Sequence, residues 1–127
     1  MRLRVGVVGL GPAWQLRHRS ALLALSDRFD VRAVCAEVAM RAEQVAVEFG
    51  ASAVDGVRAL TMRDDIDAVL ILSPEWYGPL PVLSACEAGK AVYCAAALDL
   101  EPRRASEIKE RVEKSGVAFM AELPRRH

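Results

Sequence analysis

Short runs of consecutive apolar residues alternate with longer amphipathic segments along the whole chain. Runs of the first kind are typical of strands buried on both faces of a parallel sheet, and they predict strands at 3–8, 31–35, 51–54, 68–72, 91–94 and 117–121. In the intervening segments apolar residues recur at helical spacing. This spacing predicts helices at 13–25, 38–49, 57–62, 77–88 and 99–115.

Strands joined by helices of this length predict right-handed βαβ units and a parallel sheet. The expected fold class is therefore α/β: a doubly wound sheet between two helical layers, the Rossmann fold, with strand order 3-2-1-4-5-6. No linker or low-complexity segment interrupts the alternation, and 127 residues suit one domain. We expect residues 1–127 to form a single domain of this fold.

Composition and charge are those of an ordinary globular protein and argue against several classes of function. The chain is 53% hydrophobic, and its 17 basic and 17 acidic residues give a net charge of zero. That balance offers no long-range attraction to nucleic acid or to an anionic membrane. No apolar run approaches the ~20 residues that span a bilayer, and no signal-peptide pattern opens the chain. We expect a cytoplasmic protein that binds neither nucleic acid nor membrane.

The cysteines carry no signature of a metal site. Cys35, Cys86 and Cys94 lie far apart in the chain, which argues against both a disulfide framework and a zinc site. We expect them to be buried thiols that act as small apolar side chains. No metal ligands are predicted.

The turn between the first strand and the first helix has glycines where a dinucleotide site needs them. Gly9 suits the tight turn, and Gly11 suits the point where the backbone approaches the pyrophosphate. The helix start, Pro12, Ala13 and Trp14, would face the phosphates with its N–H groups and its positive dipole end. Proline is tolerated there because its missing N–H would be unpaired anyway. The alternative is that the glycines only make a tight turn.

Trp14 stands where the dinucleotide fingerprint has its third glycine. That glycine normally allows the helix and the strand to pack closely. A tryptophan at this position predicts a displaced helix or an altered start of the helix.

Two further places are candidates for contacts with the cofactor. Glu37 follows the second strand, where a carboxylate would bind ribose hydroxyls and repel the 2′-phosphate of NADP; alternatively, it caps or flanks the next helix. Ser73, Pro74 and Trp76 follow the fourth strand, at the end of the sheet where ligands bind. Trp76 could equally cover an empty site or contact a partner protein.

The order of these motifs resembles the N-terminal domain of the Gfo/Idh/MocA family, named after glucose–fructose oxidoreductase, inositol dehydrogenase and a rhizopine-catabolism protein. The segments that carry the resemblance lie at 5–11, 42–51, 64–74 and 85–94, and the resemblance extends over essentially the whole chain. It implies NAD(P)-dependent oxidation or reduction of a sugar, a polyol or a related hydroxyl compound.

The chain departs from the family pattern mainly at the residues that carry the chemistry. The family's Glu-Lys-Pro motif corresponds to 95–97, which is Ala-Ala-Ala, so Ala96 replaces the lysine that positions and polarises the substrate hydroxyl. The usual acidic position after the second strand corresponds to Ala36, and the histidine after the Ser-Pro turn corresponds to Gly78. The family's C-terminal domain, with the substrate site, the catalytic histidine and the main oligomer sheet, has no counterpart in these residues.

These departures predict a domain that binds NAD or NADP, with NAD favoured by Glu37, and that has no catalytic residue of its own. General acid–base catalysis alone contributes ~10²–10⁴-fold in rate, so its loss removes most turnover. The alternative is a non-enzymatic regulatory or binding module that keeps the fold, with or without the nucleotide. If the chain ends at His127, surface that the second domain covers in the family is exposed, which predicts a homo-oligomer or a complex with a partner chain.

Overall fold

The computed structural model describes residues 2–11, 14–72, 80–94 and 102–121. Its strands are β1 (Leu3–Val8), β2 (Phe29–Cys35), β3 (Ser52–Ala53), β4 (Ala68–Ile71), β5 (Ala91–Cys94) and β6 (Phe119–Ala121). Its helices are α1 (Arg19–Ala24, preceded by a π-helical turn at Trp14–His18), α2 (Ala39–Phe49), α3 (Val57–Thr61), α4 (Leu80–Glu87) and α5 (Pro102–Ser115).

The six strands form one parallel sheet in the order β3-β2-β1-β4-β5-β6. This confirms the predicted fold class and strand order. The central position of β1 follows from its composition, because Val5, Val7 and Val8 are completely buried and need cover on both faces. Since β1 pairs with β2 on one side and β4 on the other, the strand order reverses beside it. Ligands bind in doubly wound sheets at such a reversal.

Several elements are shorter than their apolar runs predict. The edge strand β3 has two residues, both exposed, because it lies at the end of the sheet and has little to bury. The strand β6 begins at Phe119, two residues later than expected. The predicted starts of the fourth and fifth helices, at 77 and 99, lie outside the described residues.

Two apolar clusters cover the two faces of the sheet. On one face the π-helical turn, α1 and α2 contribute Trp14, Leu22 and Ala42 to a cluster that includes Val5 and Val7. On the other face α3, α4 and α5 supply the second cluster, whose members include Val57, Leu60, Val82, Ala85 and Ile108. The sheet is therefore the middle of three layers, as the alternation of strands and helices predicts.

The contact between β1 and α3 depends on Gly6. A Cβ atom on this residue would lie 2.7 Å from Cδ2 of Leu60 and 3.2 Å from Cδ1 of Ile66. Both of these side chains are almost completely buried, at 0% and 1% exposure. Gly6 therefore allows α3 to pack directly on the central strand.

The cysteines lie inside the protein. Cys35, Cys86 and Cys94 are all buried, which confirms the expected burial. Among the described residues, no helix has both the length and the apolar character needed to cross a membrane. In the same part of the chain, histidine, cysteine and acidic side chains do not gather in groups of three that could hold a metal ion.

Candidate functional site

Gly9 forms a sharp turn at the carboxyl end of β1. Its φ of 92° lies in the left-handed region, where a side chain would be strained and glycine is not. Its N–H donates a hydrogen bond of 2.8 Å to the carbonyl of Cys35, the last residue of β2. The first residue of the loop is thus anchored to the neighbouring strand.

The next two residues complete the described part of the loop. The side chain of Leu10 points into the core and is 2% exposed. The carbonyl of Gly11 accepts hydrogen bonds from the N–H groups of Trp14 and Gln15, at 3.1 and 3.3 Å, which starts the helical turn. Pro12 and Ala13 lie outside the described residues.

The Trp14 side chain lies in the core beneath the loop. It is completely buried, and its indole meets the ring of Phe49 edge-on, with 5.5 Å between ring centroids. Its Nε1 has no hydrogen-bond partner among the described residues. The indole therefore packs between the first helix and α2. Because it is buried, it is not part of the surface that a nucleotide would contact.

The start of the first helix is altered, as the tryptophan in place of glycine predicts. Residues Trp14–His18 form a π-helical turn before the regular α-helix begins at Arg19. A π-helical turn is wider than an α-helical one. The wider turn accommodates a large buried ring where the fingerprint has a glycine.

Three strand ends meet at this loop. Val8 is in register with Cys35 on one side and with Ile71 on the other. The N–H of Leu72 donates a hydrogen bond of 2.8 Å to the carbonyl of Val8. The carboxyl ends of β1, β2 and β4 therefore lie side by side at this end of the sheet.

Glu37 is exposed and lies two residues after the anchored end of β2, and Ala36 is half-buried beside it. The N-cap residue of α2 is Val38, which makes no side-chain capping bond. Glu37 is thus not the capping residue of this helix, although it flanks it. Glu37 is exposed at the carboxyl ends of the strands, the same end of the sheet at which Gly9 lies.

The remaining candidates are not placed by the structure. Ser73, Pro74 and Trp76 lie outside the described residues, as do Gly78 and Ala96. Of the segments that contain these candidates, the structure describes the chain only as far as Leu72 and Cys94.

Two ion pairs lie at the amino ends of β1 and β4, away from the loop after β1. The guanidinium of Arg63 binds the carboxylate of Asp65 with two hydrogen bonds of 2.8 Å, which lowers the pKa of Asp65 to about 2. Hydrogen bonds from Arg4 likewise lower the pKa of Asp67. The sequence alone does not mark either carboxylate as a member of an ion pair. Arg4 lies 63 residues from Asp67 in the chain, so no local pattern marks that pair.

Comparison with known proteins places the chain in a family. Residues 3–123 match the NAD-binding Rossmann fold of the Gfo/Idh/MocA oxidoreductase family. The chain is 38% identical over 104 residues to inositol 2-dehydrogenase 3 of Saccharopolyspora erythraea, which covers 80% of this chain and 30% of the relative. It is 44% identical over 82 residues to dTDP-3,4-didehydro-2,6-dideoxy-alpha-D-glucose 3-reductase of Streptomyces antibioticus, covering 65% of this chain and 23% of the relative.

A solved structure shows the same likeness in three dimensions. A 3-ketoreductase from Actinomadura kijaniata, in complex with NADP and TDP-benzene, superimposes with a TM-score of 0.78 at 29% identity. The match covers 96% of this chain and 37% of the ketoreductase, so the chain spans little more than a third of that protein. The chain belongs to the Gfo/Idh/MocA oxidoreductase family and corresponds to its NAD-binding Rossmann domain.

Proposed function

We propose that this domain binds a nicotinamide dinucleotide at the loop after β1 and that, as this domain alone, it does not catalyse hydride transfer. The observation that carries the proposal is the conformation of Gly9. Its positive φ and its bond to Cys35 form a tight turn at the point where the strand order reverses. A dinucleotide-binding loop needs such a turn at this place in the fold.

The described part of the loop supports a site for the pyrophosphate of a dinucleotide. It offers fewer N–H donors to the phosphates than a full three-glycine fingerprint would. Gly9 and Gly11 leave the backbone uncovered by side chains, and a helical turn begins immediately afterwards. Helix starts attract phosphates through their N–H groups. Pro12 has no N–H, and the N–H of Trp14 is already bonded to Gly11, so fewer donors remain for the phosphates. We therefore expect binding that is weaker than a full three-glycine fingerprint would give.

The charge beside the site favours NAD over NADP. The exposed carboxylate of Glu37 would accept hydrogen bonds from ribose hydroxyls and would repel a 2′-phosphate. Ala36, which directly follows β2, has no group that could bind either cofactor through its side chain. Since the solved Actinomadura relative holds NADP, both cofactors belong in the test.

For these residues taken alone, the lack of turnover is inferred from Ala96. When bound, the nicotinamide ring supplies the hydride chemistry, and the protein must supply proton transfer and a substrate wall. A methyl group at position 96 has no proton to transfer and no charge to polarise a hydroxyl. The chain spans 23% and 30% of the two curated relatives described above, so most of their length has no counterpart in it.

The test is the thermal stability of the domain with NAD, NADH, NADP and NADPH at millimolar concentration. A ligand that binds only the folded state raises the free energy of unfolding by ~2.7 kcal/mol when its concentration is a hundred times its dissociation constant. We expect a shift with NAD or NADH, and a smaller one with the phosphorylated pair. A variant with Gly11→Asp places a carboxylate at the loop and should abolish the shift, whereas Ser52→Asp on the exposed edge strand should preserve it.

A second candidate function is a non-enzymatic binding or regulatory module that keeps the fold. It is favoured by the buried indole of Trp14, which has replaced a fingerprint glycine with a core residue. If none of the four cofactors raises the stability while the domain is folded, this second function replaces the first.

A further inference from the structure

Most arginine side chains of the described residues are neutralised by a carboxylate, and Arg41 is not. Those that lie within 3.7 Å of a carboxylate oxygen are Arg2, Arg4, Arg19, Arg32, Arg58, Arg63 and Arg111. Arg41 is exposed and forms no ion pair with a described carboxylate. Its positive charge is therefore available to a ligand.

Arg41 lies in the first turn of α2, beside the carboxyl end of β2. Its N–H donates a hydrogen bond of 3.1 Å to the carbonyl of Val38, the N-cap residue of this helix. The end of β2 is tied to the loop after β1, because the N–H of Gly9 donates to the carbonyl of Cys35. Cα–Cβ bonds in an α-helix tilt toward its N-terminus, so Arg41 extends toward this end of the sheet.

The side of α2 that carries Arg41 faces α1. Glu48 lies seven residues after Arg41, and residues seven apart share one side of a helix. Its carboxylate accepts hydrogen bonds of 2.8 and 2.7 Å from the guanidinium of Arg19 in α1. Ala42, which packs in the core below, lies about 100° further around the helix. Arg41 is therefore on the side of α2 nearest the helix that follows the Gly9 loop.

The acidic residues around Arg41 leave its charge uncompensated. Hydrogen bonds from Arg19 lower the pKa of Glu48, so this carboxylate is ionised and already paired. Glu37 is exposed and forms no ion pair with Arg41 or with another described residue. A free carboxylate and a free guanidinium thus lie within five residues of each other at the carboxyl end of β2.

We propose that Arg41 binds the 2′-phosphate of NADP, so that the site accepts NADP as well as NAD. The inference rests on the proposed function, which puts the pyrophosphate at the Gly9 loop and the adenosine ribose at Glu37. NADP differs from NAD by a phosphate on that ribose. A guanidinium binds a phosphate through two parallel charge-assisted hydrogen bonds, and an arginine near this strand end suits the 2′-phosphate.

Glu37 and Arg41 then act against each other in the choice of cofactor. The carboxylate accepts hydrogen bonds from the free ribose hydroxyls of NAD and repels a 2′-phosphate. The guanidinium attracts the same phosphate. The preference for NAD that Glu37 creates is therefore reduced by Arg41 but not abolished.

The test is titration calorimetry of the chain with NAD and NADP, and with AMP and adenosine 2′,5′-bisphosphate, which differ only in the 2′-phosphate. Arg41→Gln removes the charge and keeps a polar side chain. It should weaken the binding of NADP and of the bisphosphate by about tenfold or more, and change the binding of NAD and AMP by less than about twofold.

The matched control is Arg28→Gln. Arg28 is also exposed and forms no ion pair with a described carboxylate, but it directly precedes β2 and so lies at the opposite end of the sheet. Its replacement should change none of the four affinities. The urea midpoints of wild type and Arg41→Gln should coincide, because exposed, unpaired side chains contribute little to stability.

Salt dependence provides a readout that a merely structural role of Arg41 would not affect. Added salt screens the attraction between an exposed guanidinium and a phosphate. The loss of NADP affinity caused by Arg41→Gln should therefore shrink as the ionic strength rises from about 0.05 to about 0.5 M. A loss that is independent of salt would overturn the phosphate contact.

The remaining outcomes distinguish this inference from the proposed function. If the wild-type chain binds none of the four ligands, the dinucleotide site itself is refuted, and the role of Arg41 with it. If the chain binds NAD but not NADP, or if Arg41→Gln leaves the NADP affinity unchanged, only the role of Arg41 is overturned. An equal loss of NAD and NADP affinity also overturns it and assigns Arg41 to a part common to both cofactors.

Discussion

The indole of Trp14 meets the ring of Phe49 edge-on, with 5.5 Å between the centroids and 60° between the ring planes. Phe49 is the last residue of α2, and Trp14 is the first residue of the π-helical turn that leads into α1. The contact therefore joins the two helices that cover one face of the sheet. The residue that breaks the dinucleotide fingerprint has become part of the core.

Replacing Trp14 by alanine should destabilise the domain strongly. The side chain is completely buried, and removal of a buried Trp or Phe side chain costs about 3–5 kcal/mol because a cavity remains. Urea unfolding followed by circular dichroism measures the loss. Met62→Ala, at a residue that is 65% exposed, is the control and should change the stability by about 0.5 kcal/mol or less. A loss below about 1 kcal/mol for Trp14→Ala would contradict the core position of the indole.

Reversing the charge at Glu37 should change the choice of cofactor. Glu37→Arg removes the repulsion of a 2′-phosphate and offers a guanidinium to bind it, so binding of NADPH relative to NADH should improve by about tenfold or more. Titration calorimetry with both cofactors gives the ratio. Glu43→Arg makes the same charge change at an exposed residue of α2 and should leave the ratio unchanged. An unchanged ratio in the Glu37 variant would mean that this residue only flanks the helix.

Adding a methyl group at Gly6 should destabilise the domain by about 1–3 kcal/mol, the usual cost of overpacking. The new Cβ would lie 2.7 Å from Cδ2 of Leu60. The Leu60 side chain is completely buried, so it has no free space into which it could move. The same Gly6→Ala change should cost much less in a Leu60→Ala background, where space has been made. Unfolding free energies of the four proteins in this double-mutant cycle measure the coupling. Equal costs in both backgrounds would refute the proposed close approach.

Asp65 should make the stability depend on pH in strongly acidic solution. Because Arg63 lowers the pKa of Asp65 to about 2, the native state binds this proton less readily than the unfolded state does. The stabilisation is therefore complete above about pH 4 and is lost as the pH falls towards about 2. Both side chains are partly exposed, so we expect only about 1 kcal/mol.

The variant Asp65→Asn isolates this contribution. It should be less stable than the wild type at pH 6, and the difference should vanish near pH 2, as measured by urea unfolding at a series of pH values. Asp64→Asn changes the exposed neighbouring acid and serves as the control. A difference between wild type and Asp65→Asn that stays constant with pH would exclude the ion pair as its cause.

Restoring a lysine at position 96 should not create a dehydrogenase. Ala96→Lys returns the group that polarises the substrate hydroxyl in the family, but it supplies neither a substrate wall nor a second catalytic group. Formation of reduced nicotinamide from NAD or NADP with inositol or other polyols measures the outcome, with Ala96→Gln as an uncharged control. Turnover by the lysine variant alone would show that the single domain holds a complete substrate site.

The sequence by itself determined the architecture. Apolar runs that alternate with helical segments, together with the right-handed crossover of βαβ units, lead to one strand order, and the structure has that order. The left-handed turn was also predictable at Gly9, because the requirement for a positive φ is local to the residue. The altered start of the first helix followed in the same way from the size of the residue at position 14.

Only the tertiary structure decided which distant residues meet. The sequence marks Trp14 as a departure from the dinucleotide fingerprint. Its burial against Phe49, however, depends on where α2 crosses the sheet. The approach of Leu60 to Gly6, and the pairing of Arg4 with Asp67, likewise join residues that are more than fifty positions apart. Periodicity reports the environment of each segment on its own, whereas packing contacts and exposed faces arise only when segments have been placed against one another.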